Sequence, residues 1–169
     1  GTVATGRMRR AWSQPADITK SAKKPGWTWY GCGPGVGIQL NSGRLLFPCY
    51  HAEGDQGQTK CSHALYSDDH GKTWQLSDNA GVGNGEPQAL EREDGSIYLS
   101  ARTAAGGPHL RSIVESRDAG STWSEKRHDE ALFDAYCQGS LLKLPPAAGQ
   151  PRWLYCYPAG PDRQNLTIL

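Results

Sequence analysis

The 169-residue sequence contains no apolar run of the length that spans a bilayer, which excludes a membrane-crossing helix. It also lacks an excess of either charge. Eighteen Lys and Arg stand against seventeen Asp and Glu, for a net charge of +1. Nucleic acid and anionic membrane both demand a basic surface excess, so neither is expected as the main partner. The one basic run, Arg7 to Arg10, is local and reads as a solvated terminus. The opening GTVATGRMRR lacks the apolar core of a signal peptide, an absence that means little if the chain is a mature product or a fragment. An even cysteine count is missing too: Cys32, Cys49, Cys61, Cys137 and Cys156 cannot all pair within the chain. Cys49 with His51, and Cys61 with His63, each share one strand face. Their spacing matches no zinc finger or ribbon, so no metal site is expected, and a Cys49–Cys61 disulfide is the favoured reading.

What is present in quantity is glycine (21), proline (11), tryptophan (6) and tyrosine (7), with a mean hydropathy of -0.64. Short strands joined by Gly and Pro turns produce that signature in a water-soluble all-β domain. The length suits one domain with a real core.

The chain repeats itself. SDDHGKTW at Ser67 to Trp74 returns as SRDAGSTW at Ser116 to Trp123, both fitting S-x-D-x-G-x-T-W, with the second copy starting 49 residues after the first. Upstream of each box lies a hairpin pattern, apolar strand, polar turn, apolar strand, around Gly43 and Gly95. A looser third copy surrounds Gly149. The stretches SHALYS, RSIVES and NLTIL follow as third strands, and the first two run straight into a box. Trp12 to Pro15 resembles the segment after a box. Residues 1–169 are therefore expected to hold two complete repeats and most of a third, as part of a larger array. Four antiparallel strands in about 45–55 residues is the blade of a β-propeller. Asp69 and Asp118 are expected to cap box backbone N–H groups, and Trp74 and Trp123 to anchor the turns, all four in structural roles.

Strand directions in such a blade place chemistry at the end opposite the boxes. Glu86 begins a first strand there, Arg102 ends the second, and Arg163 opens a third strand at the same end of the next repeat. Two arginines suit an anionic ligand, because the planar guanidinium grips a carboxylate through paired charge-assisted bonds. An acid beside them is useful if it activates a neutral nucleophile. Scattered surface charges account equally well for the pattern on geometry alone.

The boxes, together with WTWYGCGPGVGIQL (Trp27 to Leu40), GEPQALEREDGSIYLSAR (Gly85 to Arg102), YCQGSLLKLP and DRQNLTIL, resemble the central part of a sialidase (neuraminidase). The resemblance covers most of the chain from Trp12 onward. It implies a six-bladed β-propeller, of which about three blades are represented here, and a retaining exo-α-sialidase acting on terminal sialic acid of glycoproteins, glycolipids or oligosaccharides without a cofactor. A tyrosine nucleophile replaces the second carboxylate of most glycosidases. By match, Glu86 resembles the base paired with that tyrosine, and Arg102 and Arg163 resemble the second and third arginines of a carboxylate clamp. Tyr136 and Gln138, at the start of the third repeat's inner strand, are candidates for the pocket wall. The first clamp arginine and the acid/base aspartate are expected upstream, the nucleophile downstream of Leu169, and the missing blades from elsewhere. Asp17 reads as structural. A trans-sialidase, or a non-catalytic sialic-acid-binding or scaffold propeller, fits the same residues. Extracellular or lumenal placement follows from the substrates the resemblance implies.

Overall fold

The computed structural model describes residues 13–169. The basic run at Arg7 to Arg10 and the Trp12 echo of a box lie outside these residues. A single helical turn, α1 (Thr19–Ala22), precedes twelve strands. Asp17 accepts a bond from the Thr19 backbone N–H at 2.9 Å, just ahead of that turn.

The strands form three antiparallel sheets in chain order. In the first, β1 (Trp29–Gly31) and β2 (Ile38–Gln39) both pair with β3 (Leu45–Glu53), which pairs with β4 (Thr59–Ser67) and then β5 (Gln75–Leu76). The second is a four-stranded meander of β6 (Asn84–Glu91), β7 (Ile97–Thr103), β8 (Leu110–Ser116) and β9 (Arg127–Phe133). The third holds β10 (Ser140–Ala147), β11 (Gln150–Pro158) and β12 (Leu166–Ile168). The hairpin turns fall at the glycines of the sequence pattern. Ala148 and Gly149 both have positive φ (50° and 74°) between β10 and β11, as a two-residue turn between twisted strands requires.

Alternation along the strands sets how the sheets stack. Ala89, Ile97, Leu99, Ala101 and Val114 of the second sheet face one way. Ala89 and Ile97 pack with Leu40, Leu46 and Ala64 of the first sheet. On the opposite face, Leu90, Tyr98 and Ile113 pack with Leu141 and Trp153 of the third. A sheet buried on both faces explains why β7 has five consecutive buried residues, Ile97 to Ala101.

Each box connects the last two strands of its sheet, β4 to β5 and β8 to β9, and they are built alike. Ser67 Oγ donates to Asp69 Oδ1 at 2.9 Å and accepts from the Gly71 N–H at 2.8 Å. Asp69 also accepts from the N–H and hydroxyl of Thr73, at 2.8 and 2.7 Å. Ser116, Asp118, Gly120 and Thr122 repeat these four bonds at 2.6–2.9 Å. The backbone turns through positive φ at the same places, His70 and Ala119 (each 58°) followed by Gly71 (86°) and Gly120 (85°). Trp74 meets Phe47 with ring centroids 5.6 Å apart. Trp123 reaches across instead: it packs against core of both the first and second sheets, and its indole N–H donates to Ser77 Oγ at 3.1 Å.

The register overturns the expected disulfide. Cys49 lies opposite His63 and Cys61 opposite His51, so the two cysteines are diagonal, about 7–8 Å apart at Cα, too far for a disulfide without moving the backbone. Both are free thiols.

The N–H of Thr73, then its hydroxyl, holds the Asp69 carboxyl down at about 2. For Asp118, burial pushes upward but is outweighed by bonds from Thr122, Ser116 and Ser121, again leaving it at about 2. A depressed folded-state value stabilises above the ordinary carboxyl pKa near 3.8 and is lost as pH falls through about 2. Thermal stability of the protein should therefore decline between about pH 4 and pH 2, and Asp118→Asn should shrink that dependence when melting is followed by circular dichroism. Trp123→Ala should cost about 3 kcal/mol, since it empties a site shared by two sheets.

Candidate active site

Glu86 and Arg102 meet at the end of the second sheet opposite its box. Gly85 pairs with Arg102 across β6 and β7, after which the register shifts and Glu86 with Pro87 opposes the single residue Ala101. This bulge turns the Glu86 side chain out of the strand's alternation. Glu86 has φ of +47°, a conformation that costs a non-glycine residue about 1–3 kcal/mol and persists where the surroundings impose it. Two glycines let the neighbourhood close in. A Cβ at Gly85 would stand 2.9 Å from the Tyr50 ring, and one at Gly35 would collide with the Pro87 carbonyl. The WTWYGCGPGVG segment is thus packed against the back of the bulge.

The result is a salt bridge of 2.7 Å between Arg102 Nη1 and Glu86 Oε1, with the side chains 23% and 19% exposed. The pair lines a cavity of about 410 Å³ shared with Tyr50, Lys60, Asn84 and Thr103. Arg102 Nε is buried without a protein partner. The guanidinium therefore retains donors beyond those Glu86 uses. Burial, then the Glu86 charge, pushes the Tyr50 hydroxyl above its ordinary pKa, with Arg102 opposing.

Arg163 does not open a strand as expected. It lies in the 3-10 turn Pro161–Arg163, and Asp162, Arg163 and Asn165 all have positive φ (57°, 59° and 57°), which a regular β ladder does not sustain, so β12 begins only at Leu166. Its Nη2 donates to the Tyr136 carbonyl at 3.2 Å. Tyr136 and Gln138 likewise precede β10 rather than begin it. Tyr136 takes φ of +52°, and its hydroxyl donates to the Gly107 carbonyl at 2.5 Å. Gln138 donates to Gln88 Oε1 at 3.0 Å while its own Oε1 is buried without a partner. Arg163, Tyr136 and Gln138 do not line the Glu86–Arg102 cavity. Cys137, between Tyr136 and Gln138, has its thiol pushed up by burial first, with Arg163 and Arg111 opposing and Asp134 and Glu86 adding to it.

Sequence reasoning missed what holds these groups in place. Arg111 is 1% exposed and pairs with the fully buried Asp134 at 3.4 Å. Asp134 Oδ2 accepts from the Thr103 N–H at 2.7 Å, next to Arg102, and Arg111 donates to the Cys137 carbonyl at 2.9 Å and to Ser100 Oγ at 3.2 Å. Its guanidinium also lies 5.7 Å from the centre of the Tyr155 ring, in the third sheet. One signal was available: Arg111 is the one basic residue of the third strand LRSIVES, flanked by Leu110 and Ser112 rather than by polar turn residues.

The BNR repeat-like domain family matches residues 6–150. The chain belongs to the sialidase family with BNR repeats. A sialidase of Bacteroides fragilis is 33% identical over 136 residues, covering 80% of this chain and 24% of that protein. A Hadza microbial sialidase superposes with a TM-score of 0.81 at 30% identity, over 95% of this chain and 32% of its own. The intramolecular trans-sialidase of Ruminococcus gnavus, solved with oseltamivir carboxylate, gives 0.79 at 29% identity, over 95% and 33%. The three sheets are thus blades of a sialidase-type β-propeller, and the chain spans about a quarter to a third of the sialidases it matches.

Breaking a buried pair leaves one charge uncompensated. Arg111→Met is therefore expected to destabilise the protein by about 3–5 kcal/mol, and the double change Arg111→Met, Asp134→Leu by less. Chemical denaturation of the two variants reads the difference; equal losses would mean the pair is incidental.

Proposed function

We propose that this chain supplies part of the active site of a retaining exo-α-sialidase, with Arg102 and Arg163 gripping the sugar carboxylate and Glu86 serving as base to a tyrosine nucleophile. The observation that carries the reading is the 2.7 Å Glu86–Arg102 pair at the wall of a cavity of about 410 Å³. A receptor for a carboxylate alone gains nothing from an acid bound to its arginine. An enzyme does, because a neutral phenol approaches an anomeric carbon beside a carboxylate more easily than an anion would, and must lose its proton on the way.

The pieces have distinct physical tasks. Arg102 orients Glu86 and keeps donors for the substrate carboxylate, so charge attraction and base positioning share one guanidinium. Arg163, on its turn of positive-φ residues, is exposed and approaches from the third sheet. Tyr136 and Gln138 shape the segment between them. Asp69, Asp118, Trp74 and Trp123 hold the turns at the opposite end. The nucleophilic tyrosine, the acid/base aspartate and the first clamp arginine are assigned to no residue of 1–169. Sialylated glycoproteins, glycolipids or oligosaccharides are the substrates on this reading, and no cofactor takes part. The R. gnavus likeness keeps transfer of the sugar to a second acceptor, intramolecular or not, as the alternative outcome of the same covalent step.

With the intact protein and a fluorogenic α-sialoside, Glu86→Gln should lower kcat by about 10²–10⁴ with little change in KM. Arg102→Met and Arg163→Met should raise KM at least tenfold, each removing a charge-assisted bond worth about 1.5–3 kcal/mol. Proton NMR of the first-formed sugar should show the retained anomer. A protein that binds the sialoside but never turns it over, with binding indifferent to Glu86→Gln, would make this a binding propeller instead.

A further inference from the structure

The β3–β4 hairpin has two faces. Tyr50 and Lys60 turn to the cavity of Glu86 and Arg102. The alternate residues, Cys49, His51 and Glu53 on β3 and Cys61 and His63 on β4, turn the other way under Trp27. None of these five has a part in the sialidase reading.

From this second face we infer a site for a divalent transition metal, Zn²⁺ by its donor chemistry, bound by His51, Glu53 and Cys61. One ligand atom from each already lies within 4.8 Å of the other two. Metal–ligand bonds of about 2.0–2.3 Å in a tetrahedron put ligands about 3.3–3.8 Å apart, so side-chain shifts of about an ångström gather the set. One nitrogen, one sulfur and one oxygen donor suit zinc and its neighbours, and disfavour Ca²⁺ and Mg²⁺, which take oxygen. Thiolate and carboxylate together carry two negative charges, which a dication cancels in a buried place.

The surroundings fit a ligand set. His51 is 0% exposed, with Glu53 Oε1 2.9 Å from its Nε2 and His63 Nδ1 2.9 Å from its Nδ1. A metal on Nε2 leaves Nδ1–H to be donated to His63, the arrangement that orients a ligating imidazole. Trp27 stacks on the His51 ring at 3.5 Å and fixes its plane. His63 Nε2 is buried with no protein partner, so this histidine is not serving a completed hydrogen-bond network. Glu53, whose side chain is 41% exposed, marks the route in and the open fourth position for water. Binding releases the Cys61 thiol proton to water; a proton on His51 Nε2 moves to Nδ1, and His63 carries its own on Nε2 so that its Nδ1 can accept, as a thiolate–imidazole site requires. The bound ion would clip β3 to β4 behind Tyr50 and Lys60. It would stiffen the cavity wall without touching substrate.

The test is titration of the intact, chelator-treated protein with Co²⁺, read by the thiolate-to-cobalt charge-transfer band and the intense visible bands of a tetrahedral ion, with Zn²⁺ as competitor. One equivalent should bind and zinc should displace it. Cys61→Ser should abolish the charge-transfer band, while Cys32→Ser and Cys49→Ala should keep it. Glu53→Gln, at a half-exposed position that should fold normally, should weaken binding at least tenfold, and His63→Gln by about 10–100-fold through loss of the orienting bond. No charge-transfer band in the folded wild type overturns the site. So does a band that survives Cys61→Ser, or, should that variant misfold, an affinity unmoved by Glu53→Gln. Sialoside turnover is measured separately, since the metal site stands whether or not the chain is catalytic.

Discussion

The site hangs on the buried contact between Arg111 and Asp134. Neither charge reaches water, so each is tolerable only while the other groups around it are in register. Asp134 takes the Thr103 N–H and so fixes the end of β7 where Arg102 departs. Arg111 takes the Cys137 carbonyl and so fixes the loop that carries Tyr136 and Gln138. Two segments far apart in sequence are thereby referred to one pair of charges. A hydrophobic pair of equal volume would pack there, but would not dictate where those two backbone groups sit.

Around that anchor the backbone carries strain where the chemistry is. Glu86 holds positive φ at the bulge of β6, Tyr136 in the loop before β10, and Arg163 in the turn that reaches the Tyr136 carbonyl. Gly85 and Gly35 serve the site differently, by close approach, since no side chain fits against the Tyr50 ring or the Pro87 carbonyl. Glu86, Tyr136 and Arg163 each gain a direction that regular strands would not give them.

The hairpin of β3 and β4 shows how a period-2 element serves two purposes. Tyr50 lines the cavity because its neighbours Cys49 and His51 do not. The same alternation gathers two histidines, two thiols and a carboxylate on the reverse face. Stiffness on one face is felt on the other, since both belong to one ladder of hydrogen bonds.

The boxes, the hairpin turns and the placing of Glu86 and Arg102 at one end of a sheet were legible in the residues because each rests on local or neighbouring-strand interactions; that the two join in a salt bridge was not. A Ser, an Asp, a Gly and a Thr within seven residues can satisfy one another without outside help, and they do so twice. Strand alternation likewise placed the acid and the base at one end of the sheet. The rest was decided only by tertiary structure. Nothing near Arg111 in sequence names Asp134 as its partner, twenty-three residues on. The cysteine positions suggested a disulfide until the register set Cys49 against His63 instead of Cys61. Arg163 looked like the first residue of a strand, yet the backbone turns through the left-handed region there and its guanidinium reaches the Tyr136 carbonyl. Local pattern determines which elements form; the meeting of distant side chains, settled by burial and pairing across sheets, determines what they hold.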